Sequence, residues 1–171
     1  MENKDLKSEY PESKALEIWK KDNLTLSIVK NDKHLMNHYC GYVRFPKRPL
    51  REKGYQGIAT YVPAHGGITY AEKSKNGSFV YGFDCSHSGD ASPLHPEGKH
   101  WTLEEVKNET EKMAKAIQLA IKYEKRYLRN ISPKGKAKVI DEFHKECETH
   151  GINFNLQDNF GSMLNLLAGQ I

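Results

Sequence analysis

The sequence has few of the features that mark secreted or membrane proteins. Its three cysteines, Cys40, Cys85 and Cys147, are an odd number at wide spacing, which argues against a disulfide scaffold and for a reducing compartment. No window approaches the roughly 18 apolar residues of a membrane-spanning helix, and the N-terminus lacks the apolar core of a secretion signal. These absences predict a cytoplasmic protein that does not enter a membrane.

Repeats, low-complexity tracts and linkers are also missing from the sequence. The chain has 171 residues, of which 37% are hydrophobic and 28% are charged, a composition typical of a soluble globular protein with one substantial core. We therefore expect a single domain over residues 1–171, with a flexible polar segment at residues 1–10.

The chain has no large excess of one charge, since its formal net charge is +4. Positive charge is concentrated in residues 41–56, which we call the basic segment. Its charged residues are Arg44, Lys47, Arg48, Arg51 and Lys53 against the single acid Glu52. A local cationic segment favours a small anionic ligand, whereas a long nucleic acid usually requires a broader basic surface. A solvated loop without a ligand is the alternative.

Two unusual clusters lie in the middle of the chain, HGGITY at residues 65–70 and GFDCSHSGD at residues 82–90. The polar segment between them contains Asn76-Gly77, a strong signal for a hairpin turn because both residue types tolerate positive φ. We therefore expect the clusters on neighbouring antiparallel strands, with their polar side chains converging at one end. The converging side chains are those of His65, Asp84, Cys85, His87 and Asp90. Alternatively, the glycines only shape turns and the aspartates only cap them.

Hydrophobic periodicity predicts an α+β fold, in which an antiparallel sheet of about five strands packs against a long helix, with additional terminal helices. The expected strands are residues 24–29, 39–45, 58–62, the two arms of the hairpin and residues 152–156. The expected helices are residues 11–22, a long helix from a capping box at Thr102, a helix from Ser132 and an apolar C-terminal helix. The apolar stripe of the long helix comprises Val106, Thr110, Met113, Ile117, Ala120, Ile121 and Leu128.

The two clusters, followed by the Thr-Leu-Glu-Glu-Val helix start at Thr102, resemble a family of small proteins encoded by phages and prophages. The resemblance covers roughly residues 39–121. It implies a phage accessory protein in the host cytoplasm, and it carries no settled activity or catalytic residue.

Small phage accessory proteins often counter bacterial immunity, and the chain looks similar to one such class, the sponge proteins, which sequester cyclic or ADP-ribose-derived nucleotide signals without cleaving them. This resemblance implies an anti-defence protein acting against cyclic-oligonucleotide (CBASS) signalling. Arginines suit phosphates through bidentate contacts, and tyrosines or Trp101 suit bases through stacking. The hypothesis requires a small nucleotide ligand and no cofactor, metal or catalytic residue. The predicted ligand-binding residues are Arg44, Lys47, Arg48, Arg51, Tyr55, His65, Gly66, Gly67, Tyr70, Asp84, His87, Asp90 and Trp101.

Two enzymatic alternatives use residues of the two clusters. A metal-dependent phosphodiester hydrolase would take its nitrogen and oxygen ligands for Zn²⁺, Mn²⁺ or Fe from the converging histidines and aspartates. These ligands are His65, Asp84, His87 and Asp90. Residues 83–86 also resemble the Asp-Cys-Ser start of the NlpC/P60 peptidases, which implies a cysteine hydrolase with Cys85 as nucleophile. A nearby histidine, His65 or His100, would activate its thiol. Those peptidases place the cysteine at a helix start, whereas Pro93 and Pro96 oppose a long helix here.

An inhibitor that binds a bacterial protein partner is the remaining alternative. It would use the basic segment or the apolar C-terminal helix. Exposed apolar residues near 164–167 also make a homo-oligomer a reasonable expectation.

Overall fold

A five-stranded antiparallel sheet forms the centre of the protein in the computed structural model, which describes residues 9–32, 37–51, 56–130 and 132–153. The strands are β1 (Glu17–Lys21), β2 (Leu24–Asn31), β3 (His38–Phe45), β4 (Tyr70–Lys73) and β5 (Phe79–Asp84). Their order across the sheet is β1-β2-β3-β5-β4. Two helices follow in the chain, α1 (Leu103–Arg129) and α2 (Pro133–Thr149). The expected α+β fold with an antiparallel sheet is confirmed.

The helix expected over residues 11–22 is wrong. Only Glu12–Lys14 form a short 3₁₀ helix, and the residues after it form β1. The turn that follows explains the difference, because Asp22 and Asn23 have φ of 49° and 62°, the left-handed conformation that these residue types tolerate in a two-residue hairpin loop. The hairpin pairs all of β1 with β2, so sheet pairing overrides the helical spacing of the apolar residues.

The strand expected over residues 58–62 is also wrong. Gly57–Tyr61 form a short 3₁₀ helix that begins with a φ of 64° at Gly57. Ile58 and Ala59 are each 1% exposed and belong to the main core. The periodicity of a short apolar run does not distinguish a strand from a buried helical turn, and β1 takes the place of this strand in the sheet.

The hairpin of β4 and β5 forms as the sequence predicted. Tyr70 pairs with Gly82, and the Thr69 amide donates to the Gly82 carbonyl at 2.9 Å. Gly77 adopts a φ of 89° in the turn between the two strands. The pairing places the two sequence clusters side by side at the end of the hairpin away from the turn.

Helix α1 covers one face of the sheet and forms the main core with it. Its capping box is present, since Thr102 Oγ1 accepts the Glu105 amide at 3.2 Å and Glu105 Oε2 accepts the Thr102 amide at 2.8 Å. The buried helix residues include Val106, Thr110, Met113, Ile117 and Ala120. Ile121 departs from the predicted stripe, because it is 42% exposed.

Helix α2 packs against α1. It begins with Ser132 as N-cap and Pro133 in its first turn, and Gly151 follows its end with a φ of 71°. Ile152 and Asn153 are not part of a strand; the rest of the expected last strand and the expected C-terminal helix lie outside the described residues. Within the described ranges, no helix combines the length and the apolar character needed to cross a bilayer.

The segment before β1 covers part of the other face of the sheet. Tyr10, which we expected in a flexible segment, packs edge-on against Tyr42 with ring centroids 5.6 Å apart, and their hydroxyls form a hydrogen bond of 2.5 Å. On the same face, Arg44 Nη2 lies 2.5 Å from Glu12 Oε2. The side chains of Arg44 and Glu12 are 11% and 2% exposed, so the segment is attached to the sheet by a nearly buried ion pair.

Candidate functional site

The two sequence clusters meet around the carboxylate of Asp90, which follows β5. Asp90 Oδ2 lies 2.7 Å from His65 Nε2 and accepts the His87 backbone amide at 2.8 Å. Its other oxygen, Oδ1, accepts the indole N–H of Trp101 at 2.8 Å. Burial acts to raise the pKa of Asp90, but these hydrogen bonds outweigh it and hold the pKa below its ordinary value. The carboxylate is therefore ionised at neutral pH although the residue is only 6% exposed.

His87 extends this group toward solvent. Its ring stands edge-on to the ring of His65 with centroids 5.1 Å apart. Its Nδ1 atom lies 3.8 Å from both Asp84 Oδ1 and Asp90 Oδ2, is buried, and has no hydrogen-bond partner among the described residues. Ligand atoms of His65, His87 and Asp90 all lie within 4.8 Å of one another. We call these three residues the histidine–aspartate cluster.

Gly66, directly after His65, makes room for the ring of His87. The Gly67 amide donates to the Ala64 carbonyl at 2.9 Å and closes a tight turn, in which Gly66 has a φ of 65°. A Cβ atom on Gly66 would lie 2.1 Å from the nearest atoms of the His87 ring. Glycine is therefore required at position 66 both by the left-handed backbone and by the approach of the imidazole.

Asp84 joins the ends of the two clusters. Its Oδ2 accepts the Thr69 hydroxyl at 2.8 Å, and its Oδ1 accepts the Ser86 amide at 3.1 Å. The neighbouring Cys85 is 3% exposed, and burial, reinforced by the Asp90 carboxylate, raises the pKa of its thiol. Because a buried, protonated thiol is a poor nucleophile, the geometry counts against the cysteine-hydrolase hypothesis.

A recess of about 210 Å³ lies beside the cluster, at the end of the sheet where β3 begins. The residues that line it are Lys30, Asn37, His38, Tyr39, Cys85, Ala91, Lys99, His100 and Trp101. The described lining thus holds two lysines and two histidines and no carboxylate. Trp101 separates the recess from the cluster: its ring centroid lies 4.5 Å from that of His65, and the Lys99 ammonium lies 3.6 Å from the Trp101 centroid.

His38 lies between the recess and the acidic side chains. Burial lowers the pKa of His38 below its ordinary value, and the carboxylates of Asp84 and Asp90 counter this only in part. A neutral imidazole donates one hydrogen bond and accepts another. The positive charge of the recess therefore comes from Lys30 and Lys99, while His38 offers a polar contact.

The basic segment lies away from the recess and from the histidine–aspartate cluster. β3 starts at the recess with His38 and ends at Phe45, about 23 Å away at the rise of an extended strand. Farther along, Arg51 donates its backbone amide to Glu124 near the last turns of α1, whereas Trp101 precedes the first turn. The rim expected from the sequence is therefore two separate surfaces, because antiparallel β3 carries the chain away from the clusters.

The side chains of the basic segment have different surroundings. Lys47 and Arg51 are exposed, whereas the Arg48 guanidinium packs over the ring of Phe79 at 5.3 Å. Tyr55 lies outside the described residues. Lys47, Arg48 and Arg51 are thus candidates only for an anion at the far end of the sheet, away from the recess.

Two other predicted ligand residues lie in contacts within the protein. The Arg44 guanidinium is held by its ion pair with Glu12, which corrects the expectation that it is free to bind phosphate. Tyr70 packs edge-on against Tyr42 with centroids 5.4 Å apart and donates its hydroxyl to Glu72 at 3.0 Å. Both lie on the face of the sheet opposite α1.

Sequence reasoning missed three side chains of the recess, namely Lys30, His38 and Lys99, and considered His100 only as a base for Cys85. Lys30 pairs with Tyr39 across the β2–β3 hairpin, and Cys40 pairs with Asp84 across β3 and β5. Lys30 and His38, at the end of β2 and the start of β3, are therefore brought to the second cluster only by the pairing of β3 with β5. That pairing joins segments far apart in the chain and leaves no local signal in the sequence.

Comparisons of the chain with protein-family models, with curated proteins and with solved structures found no match. The geometry of the recess and of the histidine–aspartate cluster is therefore the basis for inferring a function.

Proposed function

We propose that the protein binds and sequesters a small phosphate-bearing nucleotide, such as a cyclic oligonucleotide immune signal, in the recess beside the histidine–aspartate cluster. The observation that carries the proposal is the concentration of lysine and histidine side chains around one recess whose described lining holds no carboxylate. Sequestering a nucleotide signal without cleaving it is the activity expected of a phage anti-defence protein of the sponge class.

The two lysines supply the attraction for phosphate. Lys30 and Lys99 are both exposed and line the same recess, so their charges add at its mouth. The Lys99 ammonium lies 3.4 Å from Glu105 Oε1. An exposed ion pair of this kind contributes little free energy, so a phosphate competes for the ammonium with little loss.

The aromatic walls suit a base or a ribose. Trp101 is only partly buried, and its indole N–H is anchored on Asp90, which fixes the plane of the ring before a ligand arrives. His65 packs against this ring, and the Lys99 ammonium lies 3.6 Å from its centroid. The ring is open to a base once Lys99 turns toward the phosphate, and stacking of one base there is worth about 1–3 kcal/mol. Since the ring is already oriented, little conformational entropy is lost on binding.

Metal-dependent phosphodiester hydrolysis is the second candidate function. It is favoured by one observation, the close approach of two imidazoles and a carboxylate in the histidine–aspartate cluster. A metal ion held there would polarise a phosphate bound directly at the cluster. A sequestering protein would leave the bound nucleotide intact, whereas a hydrolase would cleave it.

Incubation with a panel of cyclic di- and trinucleotides and ADP-ribose derivatives tests both. After removal of free ligand, the protein is denatured and the released molecules are identified by mass spectrometry. We expect one nucleotide to be recovered intact and in stoichiometric amount. Recovery of a cleaved product instead supports hydrolysis, and a panel of which no member is retained or altered contradicts nucleotide binding and turns the search to a protein partner.

A further inference from the structure

The histidine–aspartate cluster has the composition and spacing of a metal site. We propose that His65 Nε2, His87 Nδ1 and Asp90 Oδ2 bind one divalent first-row transition-metal ion, of the class of Zn²⁺, Mn²⁺ or Fe²⁺. All three ligands come from the protein, so the inference does not rest on nucleotide binding.

Two of the distances between the ligand atoms lie close to those around a shared ion, and the ligand atoms of all three residues lie within 4.8 Å of one another. Bonds from such metals to imidazole nitrogen and carboxylate oxygen are about 2.0–2.2 Å long, which places two ligands of one ion about 3.0–3.5 Å apart. Asp90 Oδ2 lies 2.7 Å from His65 Nε2 and 3.8 Å from His87 Nδ1, on either side of this range. Binding of the ion requires the hydrogen bond between His65 Nε2 and Asp90 Oδ2 to open into this range, and the His87 ring, whose side chain is 27% exposed, to move closer to Asp90.

The donor set has a recognised chemistry. Two imidazoles and one carboxylate leave open positions on the metal, as in the sites of non-haem iron oxygenases and of zinc hydrolases. The second oxygen of Asp90 is held by the Trp101 indole at 2.8 Å. Such a contact to a ligating carboxylate orients it and typically affects metal affinity.

A purely structural role would explain the contacts of Asp90 but not the position of the His87 side chain. The hydrogen bonds of Asp90 to His65, Trp101 and the His87 amide suffice to hold the loop after β5. They do not explain the side chain of His87, whose buried Nδ1 atom points between two carboxylates and has no hydrogen-bond partner in the described part of the chain. A buried polar atom left without a partner destabilises the folded protein, and a metal ion at this position would remove that cost.

Metal titration of the tag-free protein tests the proposal without any nucleotide. The protein is stripped with a chelator, dialysed against Zn²⁺ or Co²⁺, passed over a desalting column and analysed by inductively coupled plasma mass spectrometry. We expect about one ion per chain to be retained, with the visible absorption of Co²⁺ in a nitrogen–oxygen site. His87→Ala is expected to weaken Co²⁺ binding more than about tenfold.

A matched control lies on the same loop. His95 is also a histidine, but its side chain is 74% exposed and its nearest acidic partner is the exposed Glu97 at 3.4 Å. His95→Ala is expected to bind Co²⁺ as the unmodified protein does, and circular dichroism establishes that both variants are folded. Retention of full affinity by folded His87→Ala overturns the assignment. The unmodified protein alone also tests the metal site. If it retains no metal and shows no Co²⁺ absorption, the assignment is overturned whatever the variants do.

Discussion

Gly66 is the residue at which the site depends most directly on the absence of a side chain. Gly66→Ala is expected to destabilise the protein by about 1–2 kcal/mol through its left-handed backbone alone, and by more because the new Cβ would lie 2.1 Å from the His87 ring. Displacement of that ring should also change the imidazole resonances of His87. Urea unfolding measures the first effect, and NMR of the histidine ring protons measures the second.

Gly77 provides the comparison for this substitution. It also has a positive φ, 89°, but a Cβ there would meet nothing within 4 Å. Gly77→Ala should therefore show the backbone cost without any change at His87. Equal losses of stability in the two variants, with unchanged histidine resonances in both, would show that the ring does not depend on position 66.

The residues of the histidine–aspartate cluster could be predicted to converge because a short hairpin joins them. Asn76-Gly77 is a local signal, and antiparallel pairing then places His65 near the segment that ends at Asp90. The environment of Arg44 could not be predicted in this way. Its partner Glu12 belongs to a segment whose position is set by packing on the sheet, and no local pattern reports such packing.

At the scale of the elements, the ion pair of Arg44 and Glu12 attaches the segment before β1 to the sheet. Arg44→Met would leave the Glu12 carboxylate, 2% exposed, without its main counter-charge, and removal of one partner of a buried pair typically costs about 3–5 kcal/mol. Replacing both residues, as Arg44→Met with Glu12→Leu, should recover part of this loss, since it removes the buried Glu12 charge. The recovery is incomplete because Glu9, Ser74 and Ser78 still lose their contacts with the guanidinium. Unfolding in urea gives the three free energies.

Lys47→Met is the control for this pair. Lys47 lies two residues after the end of β3 and is exposed, and surface substitutions of this kind usually change stability by less than about 0.5 kcal/mol. If Arg44→Met were as mild as Lys47→Met, or the double variant as unstable as Arg44→Met, the ion pair would not be what attaches the segment.

The elements that the sequence predicted are those with their own local signals. The capping box at Thr102 and the proline at the start of α2 mark helix starts by hydrogen bonding and backbone restriction. Strand β1 has a weaker signal, because its turn at Asp22 and Asn23 lacks the glycine that usually marks such a loop. Its neighbouring apolar residues also fit a helical spacing, so only the pairing with β2 decides between the two structures.

At the scale of the whole molecule, the cationic groups lie at two ends of the sheet. If the recess is the nucleotide site, Lys99→Ala should weaken binding of the nucleotide retained by the unmodified protein and reduce its salt dependence, because one charge is removed from the contact. Arg51→Ala, at the far end, should leave both unchanged. Calorimetric titration at two salt concentrations measures both quantities.

The two variants are matched, since each removes one exposed cation from a loop. A loss of affinity in Arg51→Ala but not in Lys99→Ala would move the phosphate site to the basic segment, as the sequence alone suggested. Neither substitution touches a core residue, so a change in affinity is separable from a change in folding by comparing the unfolding midpoints.

Trp101 gives the protein an optical property. The chain has two tryptophans; the indole of Trp101 is bonded to Asp90 and lies against His65, while that of Trp19 donates to Glu111 at 3.0 Å. Indole fluorescence depends on the hydrogen bonding and polarity around the ring. Binding of a ligand in the recess or of a metal at the histidine–aspartate cluster should therefore change the fluorescence of Trp101. The fluorescence of Trp19 serves as an internal reference within the same molecule.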